Sequence, residues 1–371
     1  MFARGETIVQ LMERLAPKHY AVPDDKIGLQ VGTVAKEVKR VLVTLDITPE
    51  VVREAAELGA ELIIAHHAVI YRPLAHLRTD TPAGALAASL LRSDIAVYIS
   101  HTNLDTTEGG INDWMAEALE LNGRDVLEEV HTDRLYKLVV FVPETHHEQV
   151  RNAIFAAGGG WIGNYSHCSF NIEGTGTFLA REGTDPFVGK RGQLTEAKEI
   201  RLETIVPMSV RKKVVAAMLK AHPYEEVAYD LYSSDLKGRS FGLGRVGKLS
   251  EAEPLDQFAE RVKRALDVPF VRVVGDGAKP IRKVAVLGGS GARYIRHAIF
   301  AGADALVTGD IDFHSAQDAL AAGIAIVDPG HHAEKIMKPN VAAWLSERLK
   351  EAGYTTEVFA SQVDTEPFRL K

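Results

Sequence analysis

The sequence predicts an α/β protein of two similar α/β lobes, with a separate α+β domain inserted between them. Short apolar runs alternate with amphipathic helical patterns at both ends of the chain, which is typical of parallel sheets covered by helices. The two ends resemble each other in pattern, and a β-rich segment separates them. We therefore place the lobes at residues 1–130 and 234–371 and the inserted domain at residues 131–233.

The composition excludes several classes of protein. The 371 residues are 46% hydrophobic and 25% charged, as in ordinary globular proteins. A formal net charge of −7 without a basic stripe argues against a nucleic-acid partner. Neither a secretory signal nor a membrane span is recognisable, so we expect a cytoplasmic protein without a membrane partner. The single cysteine, Cys168, excludes an intrachain disulfide, and its β-rich surroundings predict a buried small hydrophobe.

The first lobe alternates strands and helices. Thr48 and Pro49 have the composition of a helix start, and Gly59 that of a helix end. The elements predicted from apolar spacing are a helix over residues 6–15, a strand over 40–45, a helix over 50–58, a strand over 62–65, a helix over 83–92, a strand over 95–100 and a helix over 113–119.

The inserted segment has the order extended, helix, extended, extended, helix, extended, which is the ferredoxin-like order. Its predicted elements are a strand over residues 136–142, a helix over 148–157, a hairpin or strand pair over 165–172 and 174–180, a strand over 199–206, a helix over 210–221 and a strand over 227–232.

The second lobe repeats the pattern of the first. Residues 40–67 and 282–310 share a basic start, an apolar strand, a turn, a helix and a second apolar strand that ends in polar residues. The following strands, within residues 93–102 and 322–331, also correspond. Two similar halves interrupted by an insertion is the simplest account, and it predicts one site shared by both lobes.

Polar side chains follow several of these predicted strands, where ligands bind in open α/β sheets. His66 and His67 end one strand, Asp105 lies after the next, and His331 and Glu334 follow a strand of the second lobe. A three-residue spacing puts His331 and Glu334 on one helical face. Three imidazoles and two carboxylates suffice for two divalent cations, with Glu334 as the bridge. We predict one metal-binding domain with these five ligands.

Further polar residues near strand ends could orient a ligand or touch substrate, although a structural role is an equal alternative for each. They are Asp46, His101, Asp310 and His314.

The motifs IIAHHAVIY, HTNLDTTEGGIN, LVTGDIDFHSAQDA and DPGHHAEK resemble, in order and spacing, the Nif-three-like family, whose members carry the name GTP cyclohydrolase 1 type 2 homologue. The resemblance covers residues 1–122 and 243–371. The insertion, with YKLVVFVP and HPYEEVAYDLY, looks like the PII-like or CutA-like domain of the longer bacterial members. The resemblance implies a dinuclear metal site with the five ligands given above and a toroidal homohexamer.

The chain departs from the family pattern at two places. Asp24 and Asp25 stand where many relatives have an Asp-Asn pair, so we assign that position no function. His331 and Glu334 are three residues apart, whereas shorter relatives have a spacing of four. We therefore keep His332 as the alternative ligand.

The function that the resemblance implies is metal-assisted hydrolysis of a small-molecule substrate, for which a nucleotide is the candidate. For GTP the target would be C8 of the guanine, with ring opening and loss of formate. Asp310, His314 or His101 could then move protons if one of them lies within hydrogen-bond reach. Zinc is the first expectation for the cation, and iron, manganese, nickel and cobalt are alternatives for histidine and carboxylate ligands.

Two other functions remain open. The chain could be a non-catalytic metal-binding or regulatory toroid whose PII-like insert senses a metabolite. A third function, nucleic-acid processing, is disfavoured by the acidic charge.

Two motifs have a structural interpretation that we prefer. Residues 288–291, GGSG, match no phosphate-binding fingerprint and predict a tight turn. A group of polar and aromatic residues in the insertion could line a small-molecule pocket at a subunit interface, but a packed helix-to-strand turn is the simpler interpretation. The group is His222, Pro223, Tyr224, Glu225, Glu226, Trp161 and Tyr165.

Overall fold

The computed structural model describes residues 1–369 and 371. The chain divides into two compact units, the first made of Met1–His131 with Phe241–Lys371 and the second of Thr132–Ser240. Our sequence boundary at residue 233 falls before the end of the second unit. The difference arises because the segment after residue 233 bonds within that unit: Ser234 N–H donates to the Leu135 carbonyl at 3.0 Å.

The first sheet of the first unit has five strands. Three parallel strands, each followed by a helix or a turn, form its centre, and their buried side chains are apolar apart from Thr44 because both faces are covered. Side chains alternate between two apolar clusters: Ile64 packs in one and Ile63 in the other. The order across the sheet is Glu357–Ala360, Arg40–Thr44, Leu62–Ala65, Ala96–Ile99 and Gly28–Val31, the last antiparallel to its neighbour.

The second sheet of this unit has six strands and repeats the same core. Pro280–Ser290, Ala305–Gly309 and Ala325–Asp328 are parallel neighbours, and an antiparallel edge strand lies beside the third, as in the first sheet. The predicted pair of similar α/β lobes is therefore confirmed. The order across the sheet is Arg272–Val274, Ala325–Asp328, Ala305–Gly309, Pro280–Ser290, Ser240–Pro254 and Asn122–Thr132.

One helix of the first unit, Pro49–Leu58, begins and ends where the sequence signals it. Thr48 Oγ1 accepts a hydrogen bond from Val51 N–H at the start of Pro49–Leu58, and Gly59 ends that helix with φ of 66°. The α-helices are Gly5–Leu15, Pro49–Leu58, Pro82–Arg92, Thr102–Thr106, Ile111–Ala118, Leu255–Ala265, Ile295–Phe300, Phe313–Ala322 and Met337–Glu351. Short 3-10 helices cover Lys18–Tyr20, Ala292–Tyr294 and His331–Ile336, and a two-stranded sheet pairs Ala3–Arg4 with Glu37–Val38.

A buried ion pair joins the two lobes of the first unit. The Arg245 guanidinium donates to both carboxylate oxygens of Asp113, at 2.7 and 2.9 Å, and to the carbonyls of Gly242, Gly244 and Thr107. Both side chains are almost fully buried. Arg245 lies on a strand of the second sheet and Asp113 on the helix Ile111–Ala118 of the first lobe, so the pair fixes one lobe on the other.

The second unit has the predicted ferredoxin-like order of strands and helices. An antiparallel sheet is covered on one face by two helices, His147–Ala156 and Arg211–Ala221, which pack over a buried apolar cluster. The order across the sheet is Tyr229–Ser233, Leu135–Pro143, Leu194–Pro207 and Ser169–Leu179. Short 3-10 helices, Glu144–His146 and Met208–Val210, precede the two α-helices.

Two expectations for this unit are wrong. The expected strand pair around residue 174 is one continuous strand, Ser169–Leu179, because Gly174 is paired across the sheet with Glu199 and does not interrupt it. Cys168 is partly exposed rather than buried, because it lies in the loop just before that strand. No α-helix in the part of the chain that the structure describes is long and apolar enough to cross a membrane.

Candidate metal centre

His66 and His67 directly follow the central strand Leu62–Ala65 of the first sheet. Backbone bonds hold them in place: His66 N–H donates to the Thr44 carbonyl and His67 N–H to the Leu45 carbonyl. Adjacent residues on a regular strand would point to opposite faces. Here the strand ends at Ala65, and the two rings lie with their centroids 5.0 Å apart.

The second lobe contributes His331 and Glu334 from the 3-10 helix His331–Ile336. Gly330, with φ of 81°, makes the turn from the preceding strand into this helix. Side chains three residues apart eclipse in a 3-10 helix. The three-residue spacing therefore brings His331 Nε2 to 3.3 Å from Glu334 Oε2.

Glu334 lies at the middle of the group. Its Oε2 is 3.2 Å from His67 Nε2 and 3.7 Å from His66 Nε2, and His66 Nε2 is also 3.7 Å from Asp105 Oδ1. Asp105 comes from the short helix Thr102–Thr106, which follows the strand Ala96–Ile99. The structure thus brings all five predicted residues into one cluster.

Each imidazole of the cluster is oriented by an oxygen on its other ring nitrogen. His66 Nδ1 lies 2.9 Å from the Ser100 carbonyl, and His67 Nδ1 lies 2.6 Å from Asp46 Oδ1. His331 Nδ1 lies 2.7 Å from Asp310 Oδ2. Such oxygen partners are typical of metal-binding histidines, because they fix the ring and leave Nε2 free to coordinate.

Three of the buried side-chain atoms without a hydrogen-bond partner belong to this cluster: His66 Nε2, Asp105 Oδ1 and Glu334 Oε2. The Ser100 carbonyl can only accept, so His66 Nδ1 carries a proton, and His66 Nε2 faces one carboxylate oxygen each of Asp105 and Glu334. Buried acceptors that face one another need a proton or a cation between them. The donor set therefore fits a divalent cation.

The pKa shifts within the cluster also favour a bound cation. Burial opposes the charged form of His67, but the neighbouring carboxylates of Asp46 and Glu334 raise its pKa to about 10. The Glu334 carboxylate also raises the pKa of His331 to about 9. Burial raises the pKa of Asp105 to about 6. For Glu334 the surrounding imidazoles outweigh burial and hold the carboxyl pKa well below its usual range. The cluster thus attracts positive charge at its centre.

His101 belongs to the same cluster, although the sequence suggested it only as a proton carrier. One ring nitrogen each of His66, His67 and His101 lies within 4.8 Å of the others. The His67, His331 and Glu334 group and the His66, Asp105 and Glu334 group meet the same limit. His101 follows the strand Ala96–Ile99, so its place near a strand end is as predicted, and the proximity of its ring to His66 and His67 makes it a further candidate ligand.

Asp25 is a site residue that the sequence analysis missed. Its buried carboxylate bonds His101 Nδ1 at 2.8 Å and accepts from Thr102 N–H at 3.0 Å. Burial opposes ionisation of Asp25, but the hydrogen bonds from His101 and Thr102 hold its pKa below the usual range. Asp25 lies in an irregular segment, so only the family's Asp-Asn pair at this position could have indicated it.

Two other candidates lie outside the cluster. His332 is buried and turns its Nε2 to Thr365 Oγ1 at 3.2 Å, so the structure places His331 rather than His332 among the potential ligands. His314 is exposed near the start of Phe313–Ala322 and is absent from the three described ligand groups. Asp310, in contrast, bonds His331 as described above.

The GGSG segment makes room for the cluster. A Cβ on Gly289 would lie 2.7 Å from Glu334 Oε1 and 3.3 Å from His331 Nε2, and Gly289 has φ of 65°. Both the space and the backbone conformation require glycine there. The expected tight turn is wrong, because Gly288, Gly289 and Ser290 are the last residues of the strand Pro280–Ser290. The pairing of this strand with Ala305–Gly309 shifts in register between Val286 and Ser290, and the two glycines let the strand end approach the two second-lobe side chains.

A cavity of about 870 Å³ opens beside the cluster. His67, His331 and Asp310 form part of one wall. Two aromatic and two cationic side chains also line it: Phe270, Phe368, Arg272 and Arg369. Arg272 is paired with Asp328. Small-molecule sites have volumes of about 300–1,000 Å³, so the cavity can admit a substrate of nucleotide size.

The fold and this cluster define an α/β protein with a candidate metal centre of imidazoles and carboxylates at its strand ends. The chain matches the family Duf34/NIF3 (NGG1p interacting factor 3) over residues 3–367 and belongs to that family. The family expected from the sequence motifs is therefore confirmed.

Curated relatives and a solved structure match the chain over nearly its whole length. "GTP cyclohydrolase 1 type 2 homolog" of Halalkalibacterium halodurans is 54% identical over 366 residues, covering 99% of this chain and 98% of the relative. The protein of the same name from Bacillus subtilis is 52% identical over 364 residues and 98% of each chain. The crystal structure of a Bacillus cereus protein related to NIF3 is 49% identical, with a TM-score of 0.94 over 100% of both chains.

Proposed function

We propose that this protein is a metal-dependent hydrolase with two divalent cations per chain. The observation that supports it is the group of three buried, unpartnered acceptor atoms on His66, Asp105 and Glu334. A protein interior does not retain such a group without compensation, because each desolvated acceptor costs free energy. In this proposal a cation supplies the compensation.

The donor set divides into two ligand groups that share Glu334. His66 and Asp105 complete the first group, and His67 and His331 complete the second. His101 is an additional nitrogen for the first group. Zinc is the first candidate, and iron, manganese, nickel or cobalt suit the same ligands. Bound divalent cations would acidify water and polarise an electrophilic substrate atom.

The substrate in this proposal is a nucleotide bound in the adjoining cavity. Arg272 and Arg369 offer cations for phosphate, and Phe270 and Phe368 offer flat faces for a base. The curated relatives carry the name GTP cyclohydrolase 1 type 2 homolog. The specific reaction is hydrolysis at C8 of GTP: one water opens the imidazole ring to a formamide, and a second water hydrolyses the formamide, so that C8 leaves as formate and both ring nitrogens become amines.

Two groups of this chain are placed to hold or move protons. His101 keeps a proton on Nδ1 against Asp25 and presents Nε2 to the cluster. Asp310 lies on the cavity wall with its carboxylate about half exposed, so it can exchange a proton with a bound substrate. In this proposal Asp310 is the nearer candidate for proton transfer, because it contacts both the cavity and His331.

The test is formate release from GTP by metal-reconstituted protein, with metal content measured by mass spectrometry. We expect about two cations per chain and formate formation for the wild type, and loss of both for the double variant His67→Ala/Glu334→Ala. His314→Ala is the matched control, because it removes an exposed imidazole outside the cluster. Two bound cations without formate would reject the GTP reaction and favour the metal-binding or regulatory alternative. Formate release by the double variant would reject the site.

We also propose a homohexamer, as the family resemblance implies. A hexamer has six times the 40.5 kDa mass of the chain. Light scattering coupled to size-exclusion chromatography measures that mass, and a monomeric or dimeric peak at micromolar concentration would contradict the proposal.

A further inference from the structure

The second unit contains a cavity of its own, of about 590 Å³, on the sheet face opposite the helices. The helices cover alternate residues of Leu194–Pro207, such as Leu202 and Val206. Residues on the other face of the same strand, such as Glu199 and Arg201, line the cavity. The loop over residues 180–193 contributes Phe187, and the segment before the last strand contributes Tyr224.

Two glycines create this cavity. Gly174 and Gly176 lie on one face of the strand Ser169–Leu179, and a Cβ on Gly174 would meet nothing within 4 Å. A Cβ on Gly176 would lie 2.1 Å from Glu199 Oε2. Neither glycine has a positive φ, so backbone conformation does not require it. Glycine inside a strand weakens the sheet and often marks the close approach of a ligand.

Glu199 supplies a buried carboxylate at the wall of the cavity. The residue is 8% exposed, and Tyr224 Oη donates to its Oε1 at 2.8 Å. Within the described chain Glu199 forms no ion pair. The nearby Arg201 instead bonds Glu203 at 2.8 Å. A buried carboxylate with one hydroxyl partner lacks the cation that normally accompanies such a group.

Two further aromatic rings lie beside Tyr224, whose hydroxyl bonds the Glu199 carboxylate. The Tyr224 ring lies with its centroid 6.3 Å from that of Phe178 and 6.2 Å from that of Phe187. All three line the cavity. Ring faces at such spacing attract an ammonium group within about 6 Å, by about 0.5–2 kcal/mol depending on its hydration.

The side chains that line the cavity carry a net negative charge. Five carboxylates line the cavity against one guanidinium: Glu173, Asp185, Glu199, Glu225 and Glu226 against Arg201. An anionic ligand such as a nucleotide phosphate is therefore disfavoured here. We propose that this cavity binds an organic cation, a protonated amine attached to an apolar or aromatic body. The ammonium pairs with Glu199, and the body fills the space above Gly174 and Gly176.

A pair of nearly isosteric probes tests the charge requirement. 2-Phenylethylamine is a cation at pH 7, and 2-phenylethanol has the same ring and chain with a neutral hydroxyl. Both are titrated into the full-length protein and followed by ligand-observed NMR. We expect the amine to bind at least tenfold more tightly than the alcohol. Equal affinities, or no binding of the amine, would overturn the proposal.

Variants locate the binding. Glu199→Gln keeps the shape of the side chain and removes its charge, so the preference for the amine should disappear. Glu196→Gln is the matched control, because Glu196 is an exposed carboxylate on the same strand and is not among the residues that line the cavity. Gly174→Val should abolish binding of both probes, since valine suits a strand and its side chain enters the cavity. Retention of the preference in Glu199→Gln would contradict the assignment.

This inference is independent of the proposed hydrolase. The titrations need neither metal nor GTP, and they can be repeated on His67→Ala/Glu334→Ala, where the same preference is expected. Failure of the hydrolase therefore leaves this result unchanged, and loss of the amine preference leaves formate release unchanged.

Discussion

Glu334 connects both candidate cation positions through a single carboxylate. Its Oε2 has imidazole nitrogens of His67 and His331 within 3.3 Å, and it is buried together with His66. Removal of this one side chain would affect both positions, because Glu334 is the carboxylate common to the group with His66 and Asp105 and the group with His67 and His331. Glu334 is therefore the carboxylate on which both positions depend.

Gly289 offers a test that leaves every ligand in place. We expect Gly289→Ala to weaken metal binding at least tenfold, because the new Cβ would push against the Glu334 carboxylate and the His331 ring. Competition with a chromogenic chelator measures the affinity. Gly323→Ala is the control, since Gly323 also has a positive φ, of 75°, and a Cβ there would meet nothing within 4 Å. Equal affinity in the two variants would contradict the role of Gly289.

Metal binding should release protons at neutral pH. Without a cation the raised pKa values of His67 and His331, about 10 and 9, keep both rings protonated at pH 7. A cation displaces those protons, so its affinity should rise as pH increases from 7 towards 9. Calorimetry in two buffers of different ionisation enthalpy measures the released protons. Identical binding enthalpies in both buffers would show that no proton leaves.

At the residue scale the sequence predicted which side chains meet but not all that hold them. Strand ends converge in an α/β sheet, so His66, His67, Asp105, His331 and Glu334 could be grouped from the apolar runs before them. Their role as ligands stays a prediction. Asp25 lies in a segment without periodicity and contacts His101 across 76 positions, which no local pattern encodes.

At the scale of single elements, short-range signals predicted best. Thr48, Pro49 and Gly59 bracket the helix Pro49–Leu58 because each acts on backbone groups within four residues. The strand Glu357–Ala360 is different: it pairs with Arg40–Thr44 in the first sheet, although our boundaries assigned residues 234–371 to the second lobe. No local sequence pattern predicts the pairing of two strands that lie far apart along the chain.

The cap of Pro49–Leu58 gives an element-scale prediction. Thr48→Ala should lower the free energy of unfolding by about 0.5–1 kcal/mol, because Val51 N–H loses its acceptor. Thr48→Ser keeps a hydroxyl at the same place and should retain most of the stability. Urea denaturation measures both variants, and equal losses would show that the methyl group rather than the hydroxyl matters.

At the scale of the whole molecule, the candidate centre depends on two lobes staying together. The ligands divide between lobes, with His66, His67 and Asp105 on one and His331 and Glu334 on the other. The buried pair of Arg245 and Asp113 fixes the lobes on each other. The two lobes should therefore lose structure and metal together rather than separately.

Arg245→Ala tests this coupling. It should lower the free energy of unfolding by about 3–5 kcal/mol, because Asp113 would remain buried without its cation. Thermal unfolding followed by circular dichroism measures the loss. The double variant Arg245→Met/Asp113→Leu should recover much of it, since no buried charge remains. A single variant as stable as the wild type would show that the pair does not hold the lobes together.

The point where the second unit joins the first has a consequence for how the gene could have changed. Asn122–Thr132 and Ser240–Pro254 are neighbours in the six-stranded sheet, and Thr132 Oγ1 lies 3.3 Å from Ser240 Oγ. The whole inserted unit therefore occupies the place of a hairpin loop. A single recombination event at that turn could add or delete an entire domain while every strand of the host sheet keeps its neighbours.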